Sequence, residues 1–179
     1  LGMVKYSTGD KIEAKKLWER SIDIKTDDND AKALNNIANL YKEEKNYNKA
    51  IEHYRLARNE DPNNTMYMNN LADTFRLKGE LDQAVEILKN SIKLNSRGMG
   101  TYFILGMVYK DLKEHEKAID SFKKSLQVNP ALFEAHYQIA QIQLSIENRD
   151  LALKSIESAI QSAPTNQTYQ EFRDKILAL

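Results

Sequence analysis

The sequence predicts an all-α solenoid built from antiparallel helix pairs, on three observations. Ala50, Ala84, Ala118 and Ala152 stand 34 residues apart, and a self-similar period of that length marks one supersecondary unit stacked several times. A second small residue lies twelve positions before each of them, at Ala38, Ala72, Gly106 and Ala140, and a large apolar one lies four after, at Tyr54, Leu88, Phe122 and Ile156. Pro62, Pro130 and Pro164, with Ser96 at the remaining equivalent place, punctuate the periods. Proline lacks the backbone donor and restricts the residue before it, so a helix cannot run on through these points.

Each period divides into two helices. Leu34, Ile37, Ala38 and Tyr41 follow i, i+3, i+4, i+7 spacing, as do Tyr47, Ala50, Ile51 and Tyr54, so both halves are amphipathic. Small residues at Ala38 and Ala50 let the two backbones approach, and the large residues fill the groove around them. Four full repeats cover residues 31–64, 65–98, 99–132 and 133–166, with a partial repeat and linker over 1–30. Gly98-Met99-Gly100 reads as a loosened turn between repeats rather than a phosphate loop. Tyr169, Phe172, Ile176 and Leu179 form one apolar stripe, which predicts a capping helix over residues 167–179.

Composition narrows the function classes. The chain has 41% hydrophobic and 29% charged residues over 179 positions, as an ordinary globular segment does. Its 26 basic and 26 acidic residues cancel, without a basic run, which argues against nucleic acid as the partner. No stretch is apolar enough for a membrane span. There is no cysteine, and His53, His115 and His136 fall at three different repeat positions, so neither a metal site, a cofactor nor a catalytic group is expected. Lys25-Thr26-Asp27-Asp28-Asn29-Asp30 lacks the glycine and the closing glutamate of a calcium loop and reads as a solvated linker. A cytoplasmic or periplasmic setting fits the absence of cysteine equally well.

Ile37-Ala38, Tyr41, Tyr47, Ala50, Tyr54, Ala57 and Pro62 resemble the tetratricopeptide repeat, and Leu105-Gly106, Tyr109, Ala118, Phe122 and Pro130 resemble it again. Leu34, Met68, Tyr102 and His136 stand where the family usually has tryptophan, and Gln143 and Arg149 where it has aromatic residues. Leu1-Gly2 falls on the family's Leu-Gly pair inside a first helix, with Gly9 to Ala14, Trp18 and Ser21 as the turn and second helix that follow. The chain thus starts in mid-repeat, and the native protein is expected to continue upstream of Leu1.

The resemblance implies a right-handed superhelical array whose first helices line a concave groove that binds protein partners. The groove positions it marks are Asn35, Asn36, Asn39, Asn70 and Asp73, then Phe103, Ile104, Met107, Tyr137 and Gln138. Side-chain amides can grip a peptide backbone regardless of its sequence, and the apolar group offers an anchor pocket. Packing between neighbouring helices is the alternative use of Phe103 and Tyr137. Family members that clamp the acidic tails of chaperones need cations at sites that here hold Asn35, Asn39, Asn70, Gly100 and Ile104, so that use is not expected. The expected function is a non-catalytic scaffold binding a peptide or helix. The alternatives are a regulatory or docking region of a larger enzyme or secretion-linked factor, and self-assembly through the array ends.

Overall fold

In the computed structural model the described residues, 2–23, 30–98 and 100–179, form eleven helices and no strand. The expected linker over residues 25–30 lies almost wholly outside them, as do Leu1 and Met99. Two compact units divide the chain at residues 95 and 96. The first contains α1 (Gly2–Ser7), α2 (Lys11–Asp23), α3 (Asp30–Glu43), α4 (Tyr47–Glu60), α5 (Thr65–Lys78) and α6 (Leu81–Leu94). The second contains α7 (Thr101–Asp111), α8 (His115–Val128), α9 (Phe133–Ser145), α10 (Arg149–Ser162) and α11 (Gln167–Leu177). Within each unit the helices pair as consecutive hairpins, α1 with α2, α3 with α4, α5 with α6, α7 with α8, and α9 with α10.

The hairpin turns share one device. Gly9, Lys45, Gly79, Lys113 and Glu147 all have positive φ, between 58° and 89°. In each turn the next amide reaches back five residues, as in Asn46 to the Tyr41 carbonyl at 2.8 Å and Glu114 to the Tyr109 carbonyl at 2.9 Å. This left-handed residue closes the last helical turn and reverses the chain, a role that glycine fills without strain and lysine or glutamate only at some cost. After the turn, the Asn46 side chain caps α4 by accepting from the Lys49 amide.

Ala50, Ala84, Ala118 and Ala152 are all 0% exposed, and so are Tyr54, Leu88, Phe122 and Ile156. The small sites therefore sit at the hairpin contacts, as the period predicts. Glycine replaces alanine at two equivalent places, each facing an aromatic ring. A Cβ on Gly2 would lie 2.3 Å from the Trp18 ring nitrogen, and one on Gly106 would lie 2.7 Å from the Phe122 ring. Neither contact leaves room for a methyl group.

Two boundaries differ from the periodic expectation. Helix α7 starts at Thr101, because Gly100 takes φ 84° and stands as its N-cap. At the other end Tyr169 and Ile176 are buried on α11 as expected, but the helix stops at Leu177 and Leu179 is 72% exposed. Leu179 thus leaves the apolar stripe, since the chain no longer follows the helical period there.

Candidate peptide-binding faces

Helices α3 and α5 carry the first-helix face of the first unit, and most of its polar groups are already engaged with one another. Asn70 Nδ2 donates to Asn35 Oδ1 at 2.8 Å, joining the two helices through a buried amide. Asn39 accepts from the hydroxyl of Tyr54, whose burial pushes its pKa far above the ordinary phenol value. Asp73 is held from two sides: Arg76 Nε and Nη2 donate to Oδ1 at 3.1 and 3.0 Å, and Lys42 Nζ lies 3.4 Å from Oδ2. Asn69, buried beneath them, accepts from Ser91 at 3.2 Å. Each such bond adds about 0.5–1.5 kcal/mol net, but a buried amide such as Asn69 left unpaired would cost more.

Asn36 is placed differently. It is half-buried, its amide nitrogen lies 3.5 Å from Met3 Sδ, and it lines two clefts. One, of about 380 Å³, is walled by Met3, Leu17, Trp18, Lys32 and Ala33. The other, of about 270 Å³, is walled by Met3, Tyr6, Trp18, Asn39, Lys42 and Glu43. Hydrogen bonds from Lys11 and then Tyr6 hold the Glu43 carboxyl below its usual range and tie α1 and α2 to the end of α3. Met3, Tyr6, Trp18 and Glu43 line these clefts although the groove register does not mark them. Trp18 was the available signal, a large aromatic next to a helix carrying glycine.

In the second unit the apolar candidates divide between two clusters. Phe103 stacks on Phe122 with ring centroids 5.5 Å apart, and Met107 packs against the same core as Ala135, Ile139 and Ile142. Tyr137 belongs elsewhere: it stacks on Tyr169 at 4.8 Å and meets Phe172 edge-on at 5.3 Å, both on α11. Ile104 is half-buried. Phe103 therefore finds its ring partner on the second helix of its own hairpin, and Tyr137 on α11.

Gln138 is buried at the centre of a polar chain. Its Nε2 donates to Glu134 Oε1 at 2.8 Å, and its Oε1 accepts from Lys110 Nζ at 2.5 Å. Lys110 also reaches Gln141 Oε1 at 2.6 Å, while the Tyr169 hydroxyl donates to Glu134 Oε2 at 2.7 Å. Burial first, and the Glu134 contact second, raise the Tyr169 pKa. The chain of bonds links α7, α9 and α11 across the face that Tyr137 shares.

Among the described residues no group of three histidine, aspartate or glutamate side chains is placed to hold a metal, and no helix is long and apolar enough to cross a membrane. His53 packs its ring 5.2 Å from that of Tyr41, with Nδ1 2.9 Å from the Lys49 carbonyl. His136 is half-buried, and burial lowers its pKa.

The family profile described as "Anaphase-promoting complex, cyclosome, subunit 3" matches residues 43–125, and that of the tetratricopeptide repeat matches residues 133–166. No curated protein matches the chain. Among solved structures, a thermophilic tetratricopeptide-repeat protein of Thermus thermophilus superposes with a TM-score of 0.79 at 25% identity, over 99% of this chain and 96% of that one. MamA superposes with a TM-score of 0.77, also at 25% identity, over 94% of this chain and 98% of its own. YrrB, described as having an unusual peptide-binding site, shares the fold at 18% identity and a TM-score of 0.71, over 97% of this chain and 88% of that one. With hairpins that repeat in phase, small residues at the hairpin contacts and these likenesses, the chain is a solenoid of tetratricopeptide repeats.

Proposed function

We propose that the chain is a non-catalytic protein-interaction scaffold that receives a peptide from a partner protein on its first-helix faces. The supporting observation is the pair of clefts in the first unit that share Met3, Trp18 and Asn36. They set apolar and aromatic walls, which can bury an anchoring side chain, beside a half-buried amide that can hold backbone of any sequence. An anchor of this kind contributes about 1.5–3 kcal/mol. The amide fixes direction. In the second unit half-buried Ile104, with Phe103 and Met107 on one cluster and Tyr137 on the other, offers further apolar surface. Asn70, Asp73 and Gln138 support these faces from within and keep capacity for further hydrogen bonds. A docking role inside a larger enzyme or secretion-linked factor would use the same faces.

The test is a selection of peptides from a random display library on the chain, followed by affinity measurements on variants. Asn36→Ala and Met107→Ala should each weaken selected peptides while leaving the helical circular dichroism unchanged. Equal affinity for both variants and the parent chain would overturn the reading. Sedimentation at several concentrations checks the competing use, self-assembly, which predicts a rise in mass that selected peptides do not reverse.

A further inference from the structure

Helices α4, α5 and α6 of the first unit enclose a cleft of about 460 Å³ on the second-helix side, lined by Asn48, Ile51, Arg55, Leu56, Phe75 and Gln83, with Glu52, Lys78 and Glu80 on its rim. Ile51 and Phe75 lie buried beneath it, and Leu56 is the exposed apolar side chain of its lining. The guanidinium of Arg55 lies 5.5 Å from the Phe75 ring centroid, an arrangement that holds its planar fork in place with the donors outward. Among the described residues Arg55 makes no ion pair, whereas Lys78 is closed on Glu80 at 2.5 Å.

The other repeats show what is particular to this cleft. Asn48 stands where they carry Asp82, Glu116 and Asp150, an acid in the first turn of each second helix. Such an acid favours the helix dipole, so its replacement by a neutral amide forgoes some stability and removes a negative charge from the cleft wall. Leu56 stands where they carry the polar residues Asn90, Lys124 and Ser158, and it is 45% exposed. Three features thus converge on one place: a missing acid, an open and stacked arginine, and an exposed leucine.

We propose that this cleft is a docking site separate from the first-helix faces, for a peptide segment in which a carboxylate stands beside an apolar side chain. The carboxylate accepts two hydrogen bonds from the Arg55 fork, and the Asn48 and Gln83 amides can bond the adjoining backbone. The apolar side chain covers Leu56. With Lys78 engaged by Glu80, the Arg55 fork, which forms no ion pair with Glu52 one turn earlier on α4, is the cation left to meet an incoming carboxylate.

A hexapeptide array tests this with the full chain as probe. The peptides hold leucine or phenylalanine next to aspartate, glutamate or a free C-terminal carboxylate, each with a matched asparagine, glutamine or C-terminal amide control. Carboxylate peptides should be retained over their controls, and the array shows whether the side-chain or the terminal form is preferred. Arg55→Gln and Asn48→Asp should each reduce retention about tenfold or more. Asn48→Asp only restores the residue type of the other repeats, so it keeps the fold, which thermal unfolding verifies. Asn36→Ala should leave the ratio of carboxylate to control retention unchanged, which separates this site from the first-helix faces. Equal retention of carboxylate and control peptides, or undiminished retention by Asn48→Asp, would overturn the proposal.

Discussion

The two units use the same hairpin, and both bond their first helices through polar side chains, but only the second adds a large apolar share to that face. In the first, α3 and α5 are joined by side-chain bonds, Asn35 with Asn70 and Lys42 with Asp73, which Arg76 also holds from within α5. In the second, Lys110 joins α7 to α9 through Gln138 and Gln141 in the same manner, but Phe103, Ile104, Met107 and Tyr137 add an apolar share, with Phe103 on Phe122 and Tyr137 on Tyr169. Burial of the small residues is the same in both, with Ala50 and Ala118 each at 0% exposure. The difference teaches that backbone spacing is set at the hairpin contact, while the face is free to be polar or apolar provided that each buried group there finds a partner.

If the shared scaffold is real, overpacking it should be equally damaging in either unit. Ala50→Leu and Ala118→Leu are each expected to cost about 1–3 kcal/mol in urea unfolding, because neither contact can expand. A neutral result in one unit would break the comparison. The faces should then separate. Tyr169→Phe removes the hydroxyl that reaches the Glu134 carboxylate and should cost about 1–2 kcal/mol. Asn35→Ala should cost about 1 kcal/mol, since half-buried Asn70 can turn to water.

Smaller effects test the turns and a titrating group. Lys45→Gly and Lys113→Gly relieve residues held at φ 58° and 60° and should each raise stability by about 0.5–1 kcal/mol, one in each unit. Lower melting temperatures in both would show that the lysines contribute more than their backbone strain costs. For His136 the folded pKa lies below the ordinary 6.5, so the unfolded chain takes up the proton first. Its contribution is complete above pH 6.5 and is lost as the pH falls from there through the lowered folded value. Denaturant midpoints between about pH 7.5 and 5 should fall less in His136→Gln than in the parent chain.

The helix pairs and their small contacts were legible in the sequence because a 34-residue period repeats each packing constraint in phase. Several features were not. Gly9 and Gly79 mark the left-handed turn, but Lys45, Lys113 and Glu147 occupy it without a signature of their own. Register places Asn35 and Asn36 side by side on one face, yet it does not reveal that Asn35 bonds Asn70 while Asn36 borders open clefts. Phe103 and Tyr137 share a register position, and their different ring partners depend on what stands opposite: Phe122 for one, Tyr169 for the other. Periodicity reports direction from the helix axis; it carries no information about which neighbour fills the space.

The fit of Gly106 against Phe122, and of Gly2 against Trp18, bears on how such a protein can recombine. Hairpins of equal length look interchangeable, but a second helix whose Phe122 kept its present place would meet the methyl group of a first helix bearing Ala72 too closely. The heritable module is therefore the intact hairpin. Chimeras that join repeats at the turns between hairpins should fold, whereas exchanges cut at the turn within a hairpin should succeed only when the small residue and its opposing ring travel together.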